Sequence, residues 1–202
     1  MTDLDPIAKR TDEELAREAR AGSSRSFEEL ARRYKRRLFV YMRPRLGSDE
    51  DAEDLVQETF LKLYRGIDGY DPGCRFSTWI YTAASRLSID AFRKGSASRG
   101  KVVALGDADL PDPSPAAGTG AEGSGLWEAA RGLGPARFRV LWLRYGEDLT
   151  IEEIAAVLGR TKLAVRVLLH RARTALAGRL GPDFRCASRP QPGMARSGAG
   201  DR

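Results

Sequence analysis

Hydrophobic residues recur every three or four positions in two stretches of the chain, and the segment between them shows no such periodicity. The clearest stretch begins after Ser48, which together with Asp51 three residues later makes a helix-capping signature. Its apolar positions all fall on one side of a helix: Ala52, Leu55, Val56, Phe60, Leu63 and Ile67. The pattern therefore predicts an amphipathic helix that begins after Ser48 and buries one face.

Two helices are predicted ahead of this one. Capping boxes at residues 11–14 and 26–29 open them. The first is expected to stop near Gly22, and the second to run through Met42, where Pro44 ends it.

A fourth helix is predicted after a loop rich in glycine and proline at residues 66–73. Ser77 or Thr78 is expected to cap it. Its buried stripe is predicted to contain Phe76, Ile80, Ala83 or Ala84, Leu87 and Ala91, with Trp79 and Phe92 also in the core. The other side is expected to face mostly outward. It carries the hydroxyl groups of Thr78, Tyr81, Thr82, Ser85 and Ser88 and ends in the basic side chain of Arg93. Residues 10–95 are thus predicted to form one all-helical domain.

The remainder of the chain divides into a linker, a second helical domain and a tail. Residues 96–125 are rich in Gly, Ala, Ser, Pro and Asp, which is typical of a linker. Residues 126–182 regain helical periodicity, with a third capping box at residues 150–153 and a turn at Gly159. Two helices around that turn make a helix-turn-helix signature. Residues 183–202 are basic and poor in apolar residues, so we expect a disordered tail and assign it no function.

Composition narrows the function classes. The net charge of +6 favours a polyanionic partner. No apolar run approaches the roughly 18 residues of a membrane span, so no membrane insertion is expected. Cys74 and Cys186 are far apart and His170 is the only histidine, which argues against a metal site or a structural disulfide. We therefore expect a cytoplasmic protein without a cofactor.

Two surfaces are candidates for binding. On the helix after Ser48, the face opposite the core carries Asp54, Gln57, Glu58 and Leu61. This face is either a solvated surface with one exposed leucine or a docking surface for a basic helix, and spacing alone leaves both open. The second surface is the outer side of the last helix, which carries Lys162, Arg166, His170, Arg171, Arg173 and Thr174. These groups suit phosphates and base edges.

Two segments of the sequence resemble conserved parts of a known family. DAEDLVQETFLKLYR, followed by the loop of Tyr70, FSTWIYTAASRL and DAFRK, resembles conserved region 2 of bacterial sigma factors of the extracytoplasmic-function (ECF) type. LGPARFRVLWLRYGEDLTIEEIAAVLG and HRARTAL resemble sigma region 4. The family order of region 2, linker and region 4 is present.

The resemblance implies partners and site residues. Core RNA polymerase would be bound through its β′ clamp coiled coil and its β flap, and promoter DNA through the −10 and −35 elements. The implied β′-facing residues are Asp54, Gln57, Glu58 and Leu61. Those implied for melting and reading the −10 strand are Tyr70, Trp79, Ser85, Arg86 and Arg93. Residues 162–173 would form the −35 recognition helix, with Lys162, Arg166, His170, Arg171 and Arg173 toward DNA. An anti-sigma factor is implied by family habit, and no residue of this chain indicates which one.

The chain departs from the family at three positions. Ser85 stands where many relatives have Asn, so base selection at −10 is expected to differ. Val167 and Leu168 stand where Ser and Arg are common, so −35 contacts are expected to depend more on the remaining basic residues.

Two other functions are compatible with parts of the sequence. A stand-alone helix-turn-helix repressor would explain residues 150–180 but leaves the face of Asp54 and Leu61 without a role. An enzyme using the acids at residues 49–54 has little support, because the helix dipole already explains acids there and no nucleophile motif or phosphate-binding loop accompanies them. No catalytic residue is therefore predicted.

Overall fold

A computed structural model describes residues 6–46, 48–98 and 125–186, and every regular element in those ranges is helical. This confirms the all-α prediction. The helices are α1 (Asp12–Arg20), α2 (Ser24–Leu46), α3 (Asp49–Arg65), α4 (Phe76–Ser98), α5 (Gly125–Arg131), α6 (Pro135–Leu141), α7 (Ile151–Leu158) and α8 (Lys162–Cys186). Short 3₁₀ turns lie at Pro6–Lys9 and Ile67–Gly69, and a π turn at Trp142–Gly146.

Three helices begin where their caps predict. Thr11 and Glu14 form a complete capping box at α1, as do Thr150 and Glu153 at α7. The Ser48 hydroxyl accepts the Asp51 amide at the start of α3. Each cap gives a hydrogen-bond partner to a backbone amide that the helix itself leaves unpaired. Both partners of a cap lie within four residues of each other, which is why the local sequence predicts them.

Two other predicted caps are wrong. At α2, the amide of Ser26 donates to the Ser23 hydroxyl at 3.3 Å, so the helix begins earlier, while Ser26 itself donates to Glu18 at 2.6 Å. At α4, the helix begins at Phe76, whose amide donates to a carboxylate oxygen of Glu13 at 3.3 Å. A side chain distant in sequence thus caps α4.

The predicted end of α2 is wrong, and α4 and α8 both extend beyond the predicted domain limits at residues 95 and 182. Pro44 lies inside the last turn of α2, where it removes one backbone hydrogen bond while the buried neighbours Tyr41 and Met42 keep the helix in place. Helix α4 continues to Ser98 and α8 continues past Pro182 to Cys186. Most of the predicted linker and tail, residues 99–124 and 187–202, lies outside the described residues, so the domain boundaries stay predictions.

The N-terminal domain packs α1, α3 and α4 around α2. Its centre is aromatic: the ring centroid of Tyr34 lies 5.5 Å from that of Phe76 and 6.5 Å from that of Tyr81. The Tyr34 hydroxyl donates to Asp12 of α1 at 2.6 Å, which satisfies the one polar atom of this buried side chain.

The C-terminal domain packs α5, α6 and α7 against α8. Gly159 ends α7 in the left-handed region at φ 62°, a conformation that costs glycine little, and this turn leads into α8. Val165, Leu169 and Ala172 of α8 face inward.

The two domains pack against each other. Helix α7 lies on α4, and α6 contacts α2. Buried side chains of both domains join in one hydrophobic cluster.

Candidate protein and nucleic-acid interfaces

The outer face of α3 is open. Asp54, Gln57 and Glu58 are exposed, and Leu61 beside them is 57% exposed. The structure therefore brings the four predicted docking residues together on one accessible surface. Tyr64, which the sequence prediction missed, lies one turn beyond Leu61 and is half exposed, with its ring against that of Phe27.

Tyr70, predicted to face the −10 strand, is buried. Its side chain is 1% exposed, and its hydroxyl donates to the carbonyl of Cys74 at 2.7 Å. Its ring contacts Phe76 and Trp79. Burial raises the pKa of Tyr70 to about 12. In this arrangement no base can stack on Tyr70, and its predicted role stays a prediction.

The predicted outward face of α4 is covered. Tyr81 is fully buried, and Ser85 and Ser88 are 1% exposed, so the expectation that they lie outside is wrong for this arrangement. The physical reason is that the C-terminal domain lies on α4, a contact that helical periodicity does not report. Arg86 and Arg93 remain exposed, and Trp79 is partly buried.

Arg139 of α6 closes this face over Ser85. Its Nη2 donates to the Ser85 hydroxyl at 2.6 Å and to the Tyr41 hydroxyl at 2.8 Å, and its Nε also reaches Tyr41 at 3.0 Å. Arg139 itself is only 3% exposed. The sequence prediction missed this residue, although an arginine between the apolar Phe138 and Val140 is a signal that could have found it.

Glu147 forms a second buried polar contact between the domains. Arg37 of α2 donates to it through Nε at 3.0 Å and Nη2 at 2.5 Å, and the Tyr81 hydroxyl donates at 2.6 Å. The indole of Trp142 donates to the same tyrosine hydroxyl at 3.2 Å. Burial raises the pKa of the Glu147 carboxyl, against the lowering effects of Tyr81 and Arg37.

Further polar contacts lie at the rim of the interface. The Thr78 hydroxyl donates to Glu153 at 3.0 Å, and Arg75 donates to the carbonyl of Asp148 at 2.9 Å. Burial opposes ionisation of Glu153, but hydrogen bonds from Thr150 and Thr78 leave its pKa lowered. One carboxylate thus caps α7 and joins it to α4.

Helix α8 presents the predicted basic surface. Its predicted DNA-facing side chains are all exposed: Lys162, Arg166, His170, Arg171 and Arg173. Lys162 also pairs with Glu152 at 3.0 Å. The same side shows two aliphatic residues, Leu163 at 69% and Val167 at 42% exposure. Val167 is one of the predicted departures from the family, whereas Leu163 was missed from the sequence.

The described residues offer neither a metal-binding cluster nor a membrane-spanning helix. Within residues 6–46, 48–98 and 125–186, no group of three or more His, Cys, Asp or Glu side chains is placed to hold a metal ion. None of the helices in these ranges is long and apolar enough to span a bilayer.

Comparison with known proteins agrees with this architecture. The chain matches the family model of sigma-70 region 2 over residues 30–98 and that of sigma-70 region 4 over residues 125–176. The ECF RNA polymerase sigma factor BldN of Streptomyces coelicolor is 34% identical over 84% of this chain and 66% of its own length. RNA polymerase sigma factor CarQ of Myxococcus xanthus is 31% identical over 80% of this chain and 93% of its own.

Two solved structures share the fold. The sigma factor RpoE of Bartonella quintana, in complex with the anti-sigma factor NepR, has a TM-score of 0.58 at 20% identity over 78% of this chain and 98% of its own. CnrH, in complex with the cytosolic domain of CnrY, also has a TM-score of 0.58, at 24% identity over 84% of this chain and 96% of its own. The chain belongs to the ECF sigma factors of the sigma-70 family, which are transcription initiation factors and not enzymes.

Proposed function

We propose that this protein binds core RNA polymerase and directs it to promoters by recognising the −35 and −10 elements and helping to open the DNA. The observation that carries this proposal is the accessible face of Asp54, Gln57, Glu58 and Leu61, in a chain that also presents an exposed basic reading helix. A repressor that needs only duplex DNA has no use for that face.

Docking on polymerase follows from the chemistry of the α3 face. Two carboxylates and an amide surround Leu61. This surface is complementary to a basic helix that also has an apolar side chain, such as one helix of the β′ clamp coiled coil. The C-terminal domain would lie on the β flap, as the family resemblance implies.

Reading of the −35 element is assigned to α8. Residues near the N-terminus of a recognition helix reach base edges, and later basic residues reach phosphates. Arg166 is therefore the proposed base contact, and Arg171 and Arg173 are the proposed phosphate contacts.

Reading of the −10 strand requires the domains to separate. Ser85 is covered by Arg139, and Tyr70 is buried, so neither can meet a base in the arrangement described. Arg86 and Arg93 are accessible and can contact phosphates first. Separation exchanges the Arg139 and Glu147 hydrogen bonds for hydrogen bonds to water, and its cost is the exposure of apolar side chains that the two domains bury together.

An anti-sigma factor is a further proposed partner. Its support is the fold shared with RpoE, which was solved in complex with the anti-sigma factor NepR. A cytoplasmic location is part of the same proposal, since core polymerase is found there.

Binding to purified core polymerase tests the proposal. The protein should form a stoichiometric complex with core enzyme in the absence of DNA, detectable by size-exclusion chromatography. Failure to bind core, combined with tight binding to duplex DNA, would favour the repressor alternative.

A further inference from the structure

Two exposed aliphatic side chains lie on the DNA-facing side of α8. Leu163 and Val167 are four residues apart and therefore neighbours on one helix face. The core side of α8 is formed by Val165, Leu169 and Ala172, so neither exposed residue is needed for packing. Both lie in the N-terminal half of α8, the half that a recognition helix directs at bases.

The surroundings of this pair are basic. Arg166 and His170 are exposed and share its face at helical spacing, and Arg171 is exposed beside them. Between residues 162 and 180 the helix contains no acidic residue. Such a surface is complementary in charge to a polyanion. Duplex DNA fits it better than an acidic protein does, because the major groove of DNA is wide enough to accept a whole helix.

The major groove offers one apolar group, the C5 methyl of thymine. We propose that Leu163 and Val167 contact thymine methyl groups of the −35 element. This inference rests on the proposed function and deepens it, because it assigns part of the −35 specificity to apolar contact. It also gives a role to Val167, which stands where a hydrogen-bonding Ser is common in the family.

Deoxyuridine substitution tests this contact directly, because uracil lacks only the methyl group. A promoter that the holoenzyme binds through its −35 element is synthesised with each −35 thymine, on either strand, replaced singly by deoxyuridine. Burial of one methyl group is worth about a fourfold change in affinity. Wild-type holoenzyme should therefore lose about fourfold at one or two positions, and substitutions outside the element should have no effect.

Variants assign the contact to a residue. Leu163→Ala and Val167→Ala should each bind the thymine promoter about fourfold more weakly and lose the response to deoxyuridine at one position. Both residues are exposed, so neither change should unfold the domain. Arg173→Ala is the matched control on the same helix. It should weaken all promoters alike and keep the full response to deoxyuridine.

The outcomes separate this inference from the proposed function. A holoenzyme that ignores the −35 sequence altogether would refute the proposed function. Sequence-dependent −35 binding with equal affinity for thymine and uracil at every position would overturn the methyl contact and leave that function intact. Unchanged promoter binding by the Leu163→Ala, Val167→Ala double variant would also overturn it.

Discussion

The outer faces of α3 and α4 are both parts of the N-terminal domain, yet one is open and the other is covered. The α3 face exposes Leu61 to solvent, whereas the α4 face has Ser85 and Tyr81 buried beneath the C-terminal domain. Both faces are proposed to bind partners. They differ in whether those partners must first displace part of the protein itself.

The contact that covers α4 is polar at its centre. Arg139 and Glu147 are the fully buried charged side chains of the described residues, and both reach across the domain interface. Buried charges contribute little net stability but hold a specific arrangement, and breaking one partner is costly. The difference between the two faces therefore suggests an interface that is specific when closed and can open without exposing a purely apolar surface.

The largest effect is expected from removing the guanidinium over Ser85. Arg139→Met keeps most of the side-chain volume but leaves the hydroxyls of Tyr41 and Ser85 without their charged partner. Closing of the two domains should weaken by about 2–4 kcal/mol. Hydrogen bonds to charged groups are worth about 1.5–3 kcal/mol each, and part of their loss is offset because methionine avoids the cost of burying a guanidinium charge.

Energy transfer between dyes on the two domains measures this change. Labels at Lys62→Cys and Arg173→Cys, with Cys74→Ser and Cys186→Ser, report the distance between α3 and α8. Arg171→Met, an exposed arginine lost from α8, is the control and should leave transfer unchanged. Equal transfer in Arg139→Met and wild type would show that this contact does not hold the domains together.

Loss of the proposed base contact of Arg166, on the exposed face of α8, should have a smaller effect than loss of Arg139. The effect should be confined to one promoter position. Arg166→Ala should relax preference at one −35 position by about 1–3 kcal/mol, because a bidentate arginine pair with guanine is lost. Arg166→Lys should rescue it poorly, since lysine lacks the fork geometry. Affinity selection on a randomised −35 library measures this. A uniform loss across the library would mean that Arg166 only supplies charge.

Substitutions on the open α3 face should lower the affinity for core polymerase without changing the contact between the two domains. The double variant Gln57→Ala, Leu61→Ala is expected to weaken core polymerase binding by about 1–2 kcal/mol, a typical loss for an interface contact. Its unfolding midpoint and its energy transfer should match wild type, because both residues lie off the core. Lys62→Ala on the flank of the same helix is the control for the binding titration. An affinity for core polymerase equal to that of wild type would contradict the assignment of the α3 face to polymerase docking.

The smallest effect is a difference in pH response between the interface and the N-terminal domain. Burial raises the pKa of Glu147, so the closed arrangement binds its proton more tightly than the open one. Closing should therefore strengthen as pH falls from neutrality toward 4.5, the ordinary value for glutamate. Hydrogen bonds from Arg32 and Arg33 lower the pKa of Glu29 to about 2, so its contribution to folding is full above 4.5 and is lost toward pH 2.

Energy transfer and chemical denaturation at each pH separate the two responses. Glu147→Gln should flatten the transfer curve between pH 7 and 4.5, and Glu29→Gln should flatten the decline of unfolding free energy below 4.5. Glu153 has a lowered pKa and opposes the Glu147 effect below 4.5, so the interface is compared above that value. If the domains of the Glu147→Gln variant still close more tightly as pH falls from 7 to 4.5, another titratable group is responsible for the effect.

Local patterns predicted the helices and most of their inward faces. The predictions were correct for the caps at Thr11, Ser48 and Thr150 and for the exposed faces of α3 and α8. Each of these features depends on residues within one or two helical turns. The cap that Glu13 provides to α4 was missed, because its two partners lie 63 residues apart.

The covered face was missed for the same physical reason. Periodicity shows which side of α4 is polar, but it does not show that Arg139 and Glu147 bring hydrogen-bonding partners to that side. Hydroxyl groups suited to unpaired bases are equally suited to a buried arginine. The sequence therefore identified the chemistry of the site but not the group that occupies it.

Transcription in vitro with core RNA polymerase is the decisive test of whether this protein directs promoter-specific initiation. Purified protein and core RNA polymerase are incubated with fragmented genomic DNA, and the 5′ ends of the transcripts are mapped. We expect start sites that appear only with the protein and share two sequence elements at a fixed spacing, with weaker use of these sites by the Gln57→Ala, Leu61→Ala double variant. Transcription equal to that of core polymerase alone, in the presence of folded protein, would contradict it.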